Sequence, residues 1–230
     1  MKRNAFFARS KENKGEIYIY QEIGEGWYGG ISADSFSKEL KEIGQVDVLD
    51  IFINSPGGNV FDGIAIYNQL KRFNAKKVVH IDGLAASIAS VLMLAGDEIR
   101  MAKNAQVMIH DPWGMCIGTA GDMIKSAEAL SQVKETIVDT YRARTGQSTD
   151  EIKKWMEAET WMLSGEAKSR GFVDFIEDEE ADINDMAFPM LKNFKNVPRE
   201  IRNAQGVSHS LITKMEMRAA MIRRASPSPA

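Results

Sequence analysis

The chain has 230 residues, enough for one domain with appendages, and is 44% hydrophobic and 27% charged, the balance of a soluble globular protein. Its net charge of −3 exerts no overall pull on nucleic acid, and its single cysteine, Cys116, excludes an intramolecular disulfide. No apolar run approaches a membrane span and the N-terminus lacks a signal-peptide core, so the reading is a cytoplasmic protein without membrane association.

Residues 1–15 are polar and basic and read as an N-terminal arm. Glu16-Ile17-Tyr18-Ile19-Tyr20 is β-branched and aromatic and predicts a strand, followed by a loop at Gly24, Gly26, Gly29 and Gly30. Phe36, Leu40 and Ile43 recur at helical spacing, with Ser32 placed to cap the helix and Gly44 to stop it. Val46 to Ile53 reads as a buried strand and Asn54-Ser55-Pro56-Gly57-Gly58 as a sharp turn. Val60, Ile64, Tyr67 and Leu70 then mark one face of a helix.

The strand from Lys77 to Ile81 enters the central stretch, Asp82-Gly83-Leu84-Ala85-Ala86-Ser87-Ile88-Ala89-Ser90. The Ala- and Leu-rich residues from Ala89 to Ala95 leave it as a helix. Gly83, Ala85 and Ala86 leave room for a tight strand-to-helix turn and for a substrate backbone to approach. Ser87 then falls at the first turn of the helix, where N–H groups lack partners and the dipole is positive. Two readings stand there: Ser87 caps the helix, or it attacks a carbonyl while nearby N–H groups receive the oxyanion.

Glu98 to Met101 and Gln106 to His110 read as two short strands, and Gly114 and Gly118 flank an extended segment. A long helix runs from about Asp122 to Arg144, with Leu130, Val133, Ile137 and Tyr141 on one stripe and Gly146 at its end. Ser148 and Glu151 form a capping box, Trp161-Met162-Leu163 precedes a short helix that stops at Gly171, and Phe172 to Ile176 is the last strand. From Glu177 to Asp185 there are six acidic residues, and from Leu191 to Ala230 eight Lys or Arg against two Glu. The domain boundaries are therefore an arm at 1–15, a folded domain at 16–185 and a basic, partly disordered C-terminal extension at 186–230. The alternation of strands and helices predicts an α/β fold with a parallel sheet and helical crossovers.

Three histidines are present. His80 lies in an apolar strand and reads as a satisfied core or edge residue, and His209 lies in the tail. His110 ends a strand before Asp111-Pro112, a usual position for a general base. One cysteine and three scattered histidines make no metal-ligand cluster, and no phosphate-binding loop of the Gly-x-x-x-x-Gly-Lys-Ser/Thr type is present. No cofactor and no metal are therefore expected.

Four motifs occur in order: Asn54-Ser55-Pro56-Gly57-Gly58, Gly83-Leu84-Ala85-Ala86-Ser87, Val107 to Pro112, and Thr145-Gly146-Gln147-Ser148. Phe172-Val173-Asp174 follows Glu166-Ala167. Their order and separation, over roughly residues 16–178, resemble the proteolytic subunit of the Clp protease, a serine peptidase family. The resemblance implies a crotonase-like spiral of ββα units. It makes Ser87 the nucleophile and His110 the base, and it puts the oxyanion-hole donors at the N–H groups of Gly58 and Ile88. It sets Glu159 where the family carries the third, acidic member, with Asp174 as the rival. It further implies polypeptide substrates, a homo-oligomeric heptamer or double heptamer, and an ATP-driven unfoldase as partner.

The chain also departs from the family. Ala158 stands where an arginine used between rings is often found, and the N-terminal arm has no clear match to the family's axial loops. Glu159-Thr160-Trp161-Met162 and the long tail resemble the Clp-related head-maturation proteases of tailed phages and prophages, which implies capsid proteins as alternative partners. Other readings are a crotonase-like acyl-CoA enzyme using only the oxyanion hole, a Ser/Lys signal-peptide-digesting peptidase, and a catalytically idle ring protein. The first needs no Ser/His pair. The second needs a catalytic lysine and usually a membrane anchor. In the tail, Lys192, Lys195, Arg199, Arg202, Lys214, Arg218, Arg223 and Arg224 read as a solvated extension or as a contact for nucleic acid or an acidic partner. Leu211, Met215, Arg218 and Ile222 have the spacing of a short amphipathic helix.

Overall fold

The computed structural model describes residues 6–11, 13–25, 30–178 and 188–204. One eight-stranded sheet organises them. Its β2 (Lys14–Ile19), β3 (Val48–Ser55), β4 (Lys76–Ala86) and β5 (Glu98–Ala102) run parallel in that spatial order. These strands are rich in Ile, Val and Leu, and Ile17, Ile51, Ile53 and Val79 are fully buried, as expected of a sheet covered on both faces. The crossover between β2 and β3 is α1 (Ala33–Ile43), and that between β3 and β4 is α2 (Val60–Arg72). Ser32 caps α1 and Gly44 ends it, and Phe36, Leu40 and Ile43 form its buried face.

Residues 6–11, expected within an arm, form β1 (Phe6–Lys11), antiparallel to β2. The turn between them passes through Asn13 at φ 62°, a conformation asparagine tolerates better than most residues. An Arg9–Glu16 ion pair ties the two strands across that turn. Polarity there marks the edge of the sheet, since an edge strand buries little and pairs through its backbone.

β4 is the fork of the fold. Its first half pairs with β5, and its second half, Leu84 to Ala86, pairs with β6 (Gln106–Ile109). The stretch expected to turn at Gly83 therefore stays extended through Ala86, because β6 and Ser55 satisfy its backbone. The chain turns only at Ser87, into α3 (Ile88–Leu92) and a 3₁₀ turn to Ala95.

Beyond β6, the helix α4 (Ala120–Thr145) is capped by Thr119 and closed by Gly146 in the left-handed conformation. α5 (Thr149–Glu157) follows, with Ser148 accepting from the Glu151 N–H. β7 (Thr160–Leu163) returns antiparallel to β6. α6 (Ser164–Ser169) and β8 (Phe175–Glu177), parallel to β5, complete the sheet. The last strand thus starts three residues later than expected, since Phe172 and Val173 are spent in the core.

Residues 188–204 are packed against this domain. A 3₁₀ turn at Pro189–Asn193 and α7 (Arg199–Ala204) bury Leu191, Phe194, Val197 and Ile201 against Leu84, Ala86 and Met108. Lys214, Arg218, Arg223, Arg224 and the possible amphipathic helix over 211–222 lie outside the described residues. Among the described residues, no helix is long and apolar enough to cross a membrane.

Candidate active site

Ser87 stands where β4 gives way to α3, with φ 55° and ψ −128°. A non-glycine residue with positive φ costs of order 1–3 kcal/mol and persists only where its surroundings enforce it. Here they do. The Ser87 N–H donates to Met108 O at 2.9 Å, and its carbonyl accepts from the Ser90 N–H at 3.0 Å and from Ser90 Oγ at 2.5 Å. Ser87 makes no capping bond to α3, so the strained turn leaves its hydroxyl for another partner. That partner is His110, whose Nε2 lies 2.7 Å from Ser87 Oγ.

His110 directly follows β6. The next N–H, that of Asp111, donates to Met156 O at 3.2 Å and fastens the loop to the end of α5. Burial pushes the His110 pKa below the usual imidazole value, against the opposing charges of Glu159 and Asp111. The imidazole is therefore neutral at physiological pH, the form a general base needs.

Asn54 to Gly58 packs against the same turn. Asn54 Oδ1 accepts from the Leu84 N–H at 3.1 Å, and Ser55 Oγ donates to Gln21 O at 2.6 Å. Gly57 has φ 88°, and a β-carbon there would meet Ala86 O at 2.6 Å, Ser87 Cβ at 2.7 Å and Ile88 N at 3.1 Å. Only glycine permits that approach. Gly58, next in the chain, lines a cleft of 670 Å³ together with Ser87, His110, Glu22, Trp113 and Met190. The Ile88 N–H is the first of α3 and has no carbonyl within the helix to pair with.

The acid candidates separate clearly. Thr160 pairs with Ile109 across β6 and β7, and continuing that register by one residue sets Glu159 opposite His110. Glu159 is buried, at φ 48°, and lines a cavity of 430 Å³ with His110. No hydrogen bond joins the two among the described residues. The Glu159 carboxylate instead accepts from the N–H groups of Lys195 at 2.9 Å and Asn196 at 2.6 Å, and from Trp161 Nε1 at 3.3 Å. Asp174 is committed elsewhere, to the Ile99 N–H at 2.8 Å and Arg144 at 2.5 Å. Asp111 pairs with Lys134 at 3.0 Å.

His80 is held by Asp50 at 3.2 Å and stacked on Phe52, a satisfied residue away from the cleft. Ser90 is buried and bonded to Tyr141 OH at 2.7 Å, a packing role. Among the described residues, no group of three or more His, Cys, Asp or Glu side chains converges to hold a metal ion. Sequence reasoning missed Phe194, Lys195 and Asn196, which reach His110 and Glu159. The signal was the apolar spacing of Leu191, Phe194, Val197 and Ile201, obscured by the basic residues between them.

A mostly parallel sheet with helical crossovers, carrying its cleft at the C-terminal end of β4, defines a protein of the crotonase-like spiral class. The sequence model of the Clp protease family matches residues 10–180, and the chain belongs to that family, a family of peptidases. It is 38% identical over 153 residues to the ATP-dependent Clp protease proteolytic subunit 1 of Chlamydia abortus, covering 63% of this chain and 79% of that one. It is 38% identical over 133 residues to the proteolytic subunit of Pleurastrum terricola, covering 56% and 67% of the two chains. It is 31% identical over 148 residues to that of Bacteroides fragilis, covering 62% and 72%.

Proposed function

We propose that this protein is a serine endopeptidase. Ser87 Oγ attacks the scissile carbonyl while His110 Nε2 takes its proton. The N–H groups of Gly58 and Ile88 hold the oxyanion. His110 then gives the proton to the leaving amine as the C–N bond breaks, leaving an acyl-enzyme on Ser87. Water enters, His110 takes its proton, and collapse of the second tetrahedral intermediate releases the acid and restores the serine. Glu159 supplies the negative charge that stabilises the imidazolium formed in each step.

The observation that carries this reading is the 2.7 Å contact between Ser87 Oγ and His110 Nε2 at a strained turn. It weighs against an acyl-CoA enzyme or an idle assembly protein, neither of which needs the pair. A fluorophosphonate probe with peptide mapping tests it. The probe should modify Ser87 alone, and Ser87→Ala should lower peptide hydrolysis by roughly a million-fold. Labelling at Ser90, or full activity of the alanine variant, would overturn the assignment.

The working form is proposed to be a closed ring with the serines facing an internal chamber, acting on polypeptides delivered by an ATP-driven unfoldase. Curated relatives named as ATP-dependent Clp proteolytic subunits support that partner. Glu159-Thr160-Trp161-Met162 and the tail favour a second reading, cleavage of capsid proteins in phage maturation.

A further inference from the structure

Residues 188–204 lie beyond the stretch matched by the Clp protease family, yet Phe194 among them touches His110. Leu191, Phe194, Val197 and Ile201 are buried on Leu84, Ala86 and Met108, which belong to the strands that carry Ser87 and His110. Apolar burial, not charge, anchors the segment there.

From that anchor two contacts reach the chemistry. The Phe194 ring meets the His110 imidazole edge-on, with centroids 5.2 Å apart, and meets Trp161 at 6.1 Å. The successive N–H groups of Lys195 and Asn196 take the two oxygens of Glu159, and Asn196 Nδ2 donates to Ala158 O at 2.9 Å. Glu159 sits at positive φ, a conformation that its surroundings must hold.

We propose that Phe194, Lys195 and Asn196 are positioning residues of the peptidase reaction: the ring fixes the plane and hydration of the His110 imidazole, and the paired N–H groups fix the Glu159 carboxylate beside it. The proposal rests on the serine-peptidase reading above. A carboxylate with both oxygens held cannot swing away, so its charge stays near the imidazolium as the proton arrives. The Phe194 ring keeps water from the imidazole, and burial is what lowers its pKa.

Other charges face the site. Glu22 and Glu25 approach from the loop after β2, and Asp111 lies beside His110 with Lys134. Glu157 and Glu159 come from the end of α5, and Lys192 and Lys195 from the segment itself. Replacing Phe194 alters none of these charges. A shift in the titration of His110 therefore reports the exclusion of water by the ring.

The test is the pH dependence of fluorophosphonate labelling in the full chain, which requires neutral His110. Phe194→Ala admits water, so the acid limb moves to higher pH and the plateau rate falls on the order of tenfold or more. Phe194→Leu restores apolar cover and brings the acid limb most of the way back. Asn196→Pro, which removes one N–H from the carboxylate, slows labelling more than Asn196→Ala, which keeps it. Superimposed profiles for wild type and Phe194→Ala, with Ser87 labelled in both, overturn the proposal and leave the nucleophile standing. Should Phe194→Ala fail to fold, equal plateaus for the two Asn196 variants overturn it instead. No labelling of wild type overturns the serine-peptidase reading itself.

Discussion

The Tyr141 hydroxyl of α4 lies 2.7 Å from Ser90 Oγ, and Ser90 Oγ donates in turn to the carbonyl of Ser87 at 2.5 Å. Since the serine proton goes to that carbonyl, Tyr141 is the donor to Ser90. Burial raises the tyrosine pKa, so the donor stays protonated. A side chain of the long helix thus braces the strained turn from behind. Tyr141→Phe should cost about 1 kcal/mol in urea unfolding, and Ser90→Ala a similar amount. The double variant should lose less than the sum, because both changes break one chain of bonds. Strictly additive losses would show that the brace is not a unit.

The two acid candidates make opposite predictions. Glu159→Gln removes the charge that stabilises the His110 imidazolium and should lower turnover on the order of tenfold or more, with small change in substrate affinity. Asp174→Asn loosens the contact among Ile99, Arg144 and the strand end, so it should lower stability and leave turnover near wild type. Steady-state kinetics and urea unfolding of both variants decide between them. A rate collapse in Asp174→Asn alone would reverse the assignment.

The pH dependence follows from the depressed pKa of His110. Labelling at Ser87 should persist below the ordinary imidazole midpoint of about 6.5. Glu159→Gln removes an influence that raises the pKa, so its acid limb should lie lower still. Stability carries the same sign: the folded-state pKa lies below the unfolded value, so the contribution is present above the unfolded pKa and is lost as pH falls through the folded one. Urea titrations should show wild type losing more stability than His110→Gln between about pH 7 and pH 5. Parallel losses would contradict it.

The ring proposal has its own test. Trp113, Met115 and Ile117 expose 57%, 89% and 94% of their surface on the segment leading into α4, and Met123 and Ile124 continue the apolar face. Exposed apolar side chains so close in sequence suit a contact between copies. Sedimentation at micromolar concentration should show a heptamer or larger species. Replacing Ile117 and Ile124 with Asp should weaken association between rings before that within a ring. An active monomer that cleaves folded protein would refute the chamber.

What the amino-acid order settled alone was local. Ser32 and Gly44 bracket α1 because a hydroxyl acceptor and a positive-φ glycine satisfy helix ends whatever the rest of the chain does. The apolar strands and the motif order around Ser87 and His110 were legible for the same reason, being carried by neighbours in the chain. Three matters needed the fold. Gly83 to Ala86 extends instead of turning because β6, some twenty residues on, supplies its partners. Glu159 reaches the neighbourhood of His110, and Asp174 does not, because β7 pairs antiparallel with β6 in one register while Asp174 is held by Ile99 and Arg144. And a tail that reads as basic and solvated brings Phe194 against the imidazole, because four apolar side chains spaced three and four apart find Leu84, Ala86 and Met108 only once β4 and β6 have brought those residues together.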